Sequence, residues 1–329
     1  LQINNRNKPG QKYSCKVSAS IITFNQVDLI RNAIEGALKQ VVNFRYEIII
    51  GDDGSTDGTR EVLHEYKQKY PDLIRLNLHD EHWEEGIPGR LNNITNIRSA
   101  RGKYIALCDG DDFWVSPDKI RKQAEFLDRN SHFSHCFHDC QNIDRITNEK
   151  FNFSEKIYGL RESSAFTQGD LLSGKYIAPS CSLFFRKDAI CPLPEWFWDV
   201  YAADKVLQLL AYQHGPAYYD REINSCRLFT KQSVSRKHKS RYFFVKMKKT
   251  DYEIIRRELP EAGKLLSSYK AAYYMYQSSQ HYRSRDFFKL FICLAKAARH
   301  EPAFFRKLYY QFRSKVWFLY KRFRNRSRA

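Results

Sequence analysis

Lys103-Tyr104-Ile105-Ala106-Leu107-Cys108-Asp109-Gly110-Asp111-Asp112-Phe113-Trp114 decides how this chain is read. An apolar run suited to a buried strand ends in three carboxylates within four positions, with a glycine among them and Pro117 opening a helical pattern just beyond. Carboxylates this close repel one another unless a cation neutralises them. An oxygen-only cluster without His or Cys suits Mg2+ or Mn2+ better than zinc. The plainer alternative is an acidic loop that caps the next helix, and the neighbouring stretches weigh against it.

Upstream, residues 16–22 read as a strand followed by Thr23-Phe24-Asn25-Gln26 and an amphipathic helix over 27–40. Residues 46–50 form a second apolar strand, which runs into Gly51-Asp52-Asp53-Gly54-Ser55-Thr56-Asp57-Gly58-Thr59 before a helix over 60–70. Two strand–loop–helix units in succession predict a parallel α/β sheet with ligands beyond the carboxyl ends of its strands. Ser55, Thr56 and Asp57 are suited to cap the following helix. Asp52 and Asp53 are not needed for that. At the mouth of a sheet they are placed to accept hydrogen bonds from a base N–H or from ribose hydroxyls. Neither GxGxxG nor GxxxxGK[ST] occurs, so a nucleotide bound here needs a metal to hold its phosphates. A third strand is expected over 73–78 and a helix over 91–100. Arg90 and Asn93 at that helix's start suit either an anion or a solvated terminus.

These blocks resemble the family 2 glycosyltransferases of GT-A fold. The resemblance rests on Ser20-x-x-Thr23-Phe24-Asn25, on Asp52 to Thr59, and on Arg101 through Asp109-Gly-Asp111-Asp112-Phe-Trp114 with Pro117-Asp-Lys after it, and it continues to about residue 235. It implies an α/β GT-A Rossmann-like domain with a predominantly parallel, mixed central sheet. It also implies a UDP- or dTDP-type sugar nucleotide on Thr23, Phe24, Asn25, Asp52, Asp53 and Asp109, with Arg90 and Asn93 nearby. Asp111 would be the direct ligand of Mn2+ or Mg2+, and Asp109 a neighbour of metal or ribose. The segment from Asp204 through Leu207, Leu209 and Leu210 to Gly215 resembles the block that carries the catalytic base; alone it reads as an ordinary first-turn aspartate. Asp112, Trp196, Trp198 and Arg227 complete the expected acceptor side, although the two tryptophans suit core packing equally well. Cys226-Arg227-Leu228-Phe229 keeps the family's arginine but has Phe229 where histidine is usual, leaving the third metal ligand to water or to His238.

His132-Phe-Ser-His135-Cys136-Phe-His138-Asp139-Cys140 invites a zinc reading, but period-2 alternation sends its ligand types to opposite faces of one strand. A core strand is the simpler expectation. Residues 178–186 read as a later, acceptor-side strand, 200–214 as a helix and 218–230 as a strand.

Charge divides the 329-residue chain. From Arg236 onward there are 25 Lys and Arg against 6 Asp and Glu, leaving the body near neutral although the whole chain carries +18. The expected organisation is a domain over 1–235 and a basic, aromatic-rich α-helical extension over 236–329. That extension reads as two helices around Arg283-Ser-Arg-Asp286, then a stripe from Phe305 to Phe323 suited to an anionic membrane surface or to docking on the body. No apolar run reaches the length of a membrane span, no signal peptide is read, and the eight cysteines form no CxxC. The expected protein is cytoplasmic, peripheral on the inner membrane face, with a glycan or lipid-linked acceptor and no nucleic-acid partner. Its rivals are an inactive sugar-nucleotide binder and a nucleic-acid-binding protein acting through the tail.

Overall fold

The computed structural model describes residues 13–82, 89–229, 249–283 and 286–300. They fall into two compact units that part after Ile254. The boundary expected at 235/236 and the stripe from Phe305 to Phe323 lie outside the described residues.

The first unit runs β1 (Cys15–Thr23), α1 (Ile30–Leu38), β2 (Tyr46–Asp53), α2 (Thr59–Lys69), β3 (Ile74–His79), α3 (Arg90–Ser99), β4 (Gly102–Asp109), β5 (Asp112–Trp114), α4 (Lys119–Arg129), β6 (His135–Asp144), β7 (Lys150–Asn152), α5 (Phe153–Tyr158), β8 (Ser164–Phe166), α6 (Gln168–Ser173), β9 (Phe184–Arg186), α7 (Lys187–Ile190), α8 (Ala203–Ala211) and β10 (Ala217–Phe229). Helix α9 (Lys249–Glu258) crosses the division, and α10 (Pro260–Arg283) and α11 (Phe287–His300) lie in the second unit.

All ten strands join one mixed sheet, ordered β3-β2-β1-β4-β9-β6-β10-β5, with β7 on β6 and β8 on β10. Its long ladders are parallel: β1 with β2 and β4, β2 with β3, and β6 with β10, six to ten residue pairs each. The antiparallel pairings join only two or three residues. Alternation explains how the sheet is covered. Val17, Ala19 and Ile21 of β1 enter a core with Ile48, Ile50, Tyr104, Ala106, Ile30, Ile34, Ile120 and Leu127. Ser18 and Ser20 alternate with them. Ser18 donates to Glu47 Oε1 (2.6 Å), and Asn96 of α3 donates to Ser20 Oγ (3.1 Å) and Ile21 O (2.9 Å), so both buried serines find partners inside the protein.

With β2 on one side of β1 and β4 on the other, the strand order reverses at β1, and a crevice opens beyond the carboxyl ends there. The register aligns Thr23 with Asp52 and Ile22 with Asp109, which brings both acidic loops to that crevice.

Candidate active site

The loops after β1 and β2 are tied together by backbone amides. Asn25 N donates to Ser55 Oγ (2.8 Å), Thr56 N to Asn25 Oδ1 (2.9 Å), Gln26 N to Thr59 Oγ1 (2.9 Å) and Val27 N to Asp57 Oδ2 (3.1 Å). Asn25 has φ 50°, a left-handed conformation that asparagine tolerates better than most residues. Asp57 also accepts from Thr59 N and Oγ1, but the N-cap of α2 is Gly58 and none of Ser55, Thr56 and Asp57 takes the capping position expected of them; they tie the two loops together instead. Asp52 is fully buried. Its Oδ2 takes hydrogen bonds from Ser55 N (3.0 Å) and Arg60 Nε (2.7 Å), while Oδ1 makes none. Asp53, almost as buried, also has an unbonded Oδ1, and its Oδ2 lies 2.9 Å from His82 Nδ1, out of line for a hydrogen bond. The half-exposed Phe24 ring stacks on His82 with centroids 3.8 Å apart. Sequence reading missed His82, whose role depends on contacts between segments.

Asn93, expected to face an anion, donates to Gly89 O (3.1 Å) and holds its own helix start. Its neighbour Asn92 reaches the crevice edge at Thr23 O (3.1 Å), and Arg90 is buried close to the charges of Asp199 and Asp251.

Between β4 and β5 the chain turns at Gly110, whose N donates to Ile22 O (2.8 Å). A Cβ there would collide with Gln26 Oε1, so the turn lies directly against the end of β1. Asp109, Asp111 and Asp112 each offer a carboxylate oxygen, and these atoms lie within 4.8 Å of one another; they are the one such group among the described residues. Burial raises all three above the ordinary carboxylate range. Asp109 is pushed up to about 7, first by burial and then by the charges of Asp111 and Asp204. Asp112 is the most enclosed. The antiparallel pairing of β5 with β10 sets it opposite Arg227, whose Nε is 3.7 Å from Oδ2, and Oδ1 accepts from Leu228 N (3.3 Å). Asp112 therefore faces Arg227, which leaves Asp109 and Asp111 as the open pair. The guanidinium of Arg227 also lies 5.0 Å from the Phe229 ring centroid. His238, the alternative ligand, lies outside the described residues.

On the opposite side, the stretch expected as one strand over 178–186 divides into a short 3-10 turn, Ser180–Ser182, and β9. The turn sets Ser180 near Asp109, where its hydroxyl partly offsets the rise in that carboxyl's pKa. Asp204 occupies the second position of α8, and its charge reaches both Asp109 and Lys205. Trp196 and Trp198 flank the buried Phe197 in a second 3-10 turn, Glu195–Asp199, and the Trp198 ring lies 5.4 Å from the Arg98 guanidinium. Both tryptophans are only partly buried.

The zinc-like stretch is a core strand. His135 and His138 are buried in β6, and burial pushes His135 down to about 3 and His138 well below its ordinary value. All eight cysteines are free thiols. No described helix is long and apolar enough to cross a membrane.

Comparison with known proteins agrees with the fold. Residues 18–191 match the family described as Glycosyl transferase family 2. An uncharacterised protein of Mycobacterium tuberculosis (strain ATCC 25618 / H37Rv), Rv1520, is 40% identical over 117 residues, 36% of this chain and 33% of that one. This chain thus aligns with about a third of the length of that relative. A GalNAc(5)-diNAcBac-PP-undecaprenol beta-1,3-glucosyltransferase of Campylobacter jejuni is 27% identical over 223 residues, 67% of each chain. Among solved structures, S. aureus TarS in complex with UDP-GlcNAc superposes with TM-score 0.58 at 15% identity, over 87% of this chain and 81% of that one. The fold is GT-A, as expected.

Proposed function

The chain belongs to glycosyl transferase family 2, and we propose that it moves a sugar from a UDP- or dTDP-type donor to an acceptor hydroxyl, with inversion, in assembly of a bacterial surface polysaccharide or glycan. One observation carries this reading: an acidic triplet at the sheet's switch point, with a further carboxylate, Asp204, near enough for its charge to be felt at Asp109. The relative named as a glucosyltransferase of an undecaprenol-linked glycan supports a glycan or lipid-linked acceptor.

A divalent cation fits the donor set. Carboxylate oxygens within 4.8 Å of one another, raised in pKa by burial and, at Asp109, by the neighbouring carboxylates, are what Mn2+ or Mg2+ would relieve. Asp111 and Asp109 would hold it, with Asp112 kept in place by Arg227. When bound, the cation neutralises charge on the departing diphosphate. Every other task falls to side chains. Asp53 and Phe24 receive the base beside the ion pair of Asp52 and Arg60, and Asp204 takes the acceptor's proton. The partly buried Trp196 and Trp198 suit an acceptor sugar face.

A second reading, an inactive sugar-nucleotide binder, is favoured by one feature. Phe229 lies against Arg227 where the family's histidine would add a ligand. Turnover with a panel of sugar nucleotides and Mn2+, with and without a lipid extract, separates the two: product formation supports the transferase, and binding without turnover the binder. Attachment to an anionic membrane face is the proposed role of the basic extension, supported by Phe288 and Phe291, which stand 77% and 68% exposed on α11 beside Lys289. Nucleic acid is not an expected partner.

A further inference from the structure

The geometry points to Asp251, in the first turn of α9, as the residue that positions the proposed base Asp204. This inference rests on the transferase reading above. The Asp251 side chain is fully buried, and it lies far from Asp204 in sequence. Its Oδ1 accepts from Tyr201 N (2.6 Å) and its Oδ2 from Ala202 N (3.2 Å), the two amides that lead the chain into α8. That helix has no cap of its own: Ala202, at its N-cap, offers no side-chain acceptor. Asp251 takes the amides of the N-cap residue and of the residue before it, and so fixes how the chain enters the helix. Charge-assisted bonds from a carboxylate to backbone N–H are among the stronger hydrogen bonds.

Two cations complete the arrangement. The ammonium of Lys205 is buried, which lowers its pKa, and it feels the charge of Asp204 first and of Asp251 second. Arg90, at the start of α3, interacts with Asp199 and Asp251. Asp251 thus stands between a donor-side arginine and the helix that presents Asp204, one position after α8 begins. Replacing the carboxylate by an amide would leave one acceptor oxygen for two backbone N–H groups and take away one of the two carboxylates that act on Lys205. The base would then be drawn toward Lys205 and away from the acceptor hydroxyl. Misplacement of a reacting group by about 1 Å costs on the order of a hundredfold in rate.

The test compares Asp251→Asn and Asp251→Glu in the full chain, with Asp204→Asn in parallel. Donor binding with Mn2+ is read by calorimetry, and hydrolysis to water and transfer to acceptor are read by product analysis. In Asp251→Asn, transfer kcat should fall about tenfold to a hundredfold while donor affinity, donor KM and hydrolysis hold. Asp251→Glu, which keeps the charge and both acceptors, should recover part of the loss. Wild-type transfer in Asp251→Asn, or equal loss of donor binding and transfer in both variants, overturns the proposal. If Asp251→Asn does not fold, Asp251→Ser, which removes the charge, takes its place: selective loss of transfer with intact donor binding supports the positioning role, and wild-type transfer or a parallel loss of both rejects it. If Asp204→Asn itself turns over normally, the base assignment fails instead, so the two failures are distinguishable.

Discussion

The rings of Phe24 and His82 lie face to face, centroids 3.8 Å apart and planes 10° from parallel, with the same imidazole 2.9 Å from Asp53. His82 therefore occupies one aromatic face and one carboxylate that the proposed function gives to a nucleobase. The segment is held there: Arg60 donates to His79 O, and a Cβ on Gly54 would collide with Glu81 and His82 backbone.

His82→Ala should accordingly tighten UDP binding. An aromatic stack contributes about 0.5–1.5 kcal/mol, so the gain is roughly twofold to tenfold, read by calorimetry at fixed Mn2+. Weaker binding in the variant would make His82 a buttress of the pocket and not a competitor for it.

Asp204→Asn keeps the side chain's shape and removes its capacity to take a proton. Transfer kcat should fall by about 10²–10⁴ with little change in donor affinity. If the same loss occurs in Asp199→Asn and not in Asp204→Asn, the role moves to Asp199.

The buried histidines of β6 predict an acid-sensitive fold. Burial depresses His135 from 6.5 to about 3, so the folded chain resists protonation that the unfolded chain accepts. Stability is full above the unfolded value and is lost as pH falls from about 6.5 toward 3, at a limiting slope of about 1.4 kcal/mol per pH unit for each such group. His138 is shifted the same way. Urea midpoints should drop between pH 7 and pH 5, and His135→Phe should make that drop shallower. An unchanged slope would assign the acid sensitivity to other groups.

Much of this fold is legible in the sequence because it depends on local periodicity. Val17, Ala19 and Ile21 alternate with Ser18 and Ser20, and the apolar run from Tyr104 to Cys108 ends sharply at Asp109, so β1, β4 and the acidic turn follow from short stretches alone. The pairing of Asp112 with Arg227 does not. It needs the three-residue β5 to land antiparallel on β10, more than a hundred positions later in sequence. The same holds for His82 against Phe24 and for Asp251 beneath α8, where the side chains meet only once the sheet has formed. The sequence points to Asn93 at the start of α3, but Asn92 is the residue that reaches Thr23 O, since a shift of one position along a helix turns a side chain to another face.

The proposal that Asp109 and Asp111 hold a divalent cation for a sugar nucleotide is tested most directly by calorimetry of UDP-sugar binding with and without Mn2+, on the wild type and Asp111→Asn. Binding by the wild type should depend on Mn2+ and be lost in the variant, with both proteins equally folded by circular dichroism. Equal affinity in Asp111→Asn, or wild-type binding indifferent to the cation, would contradict it.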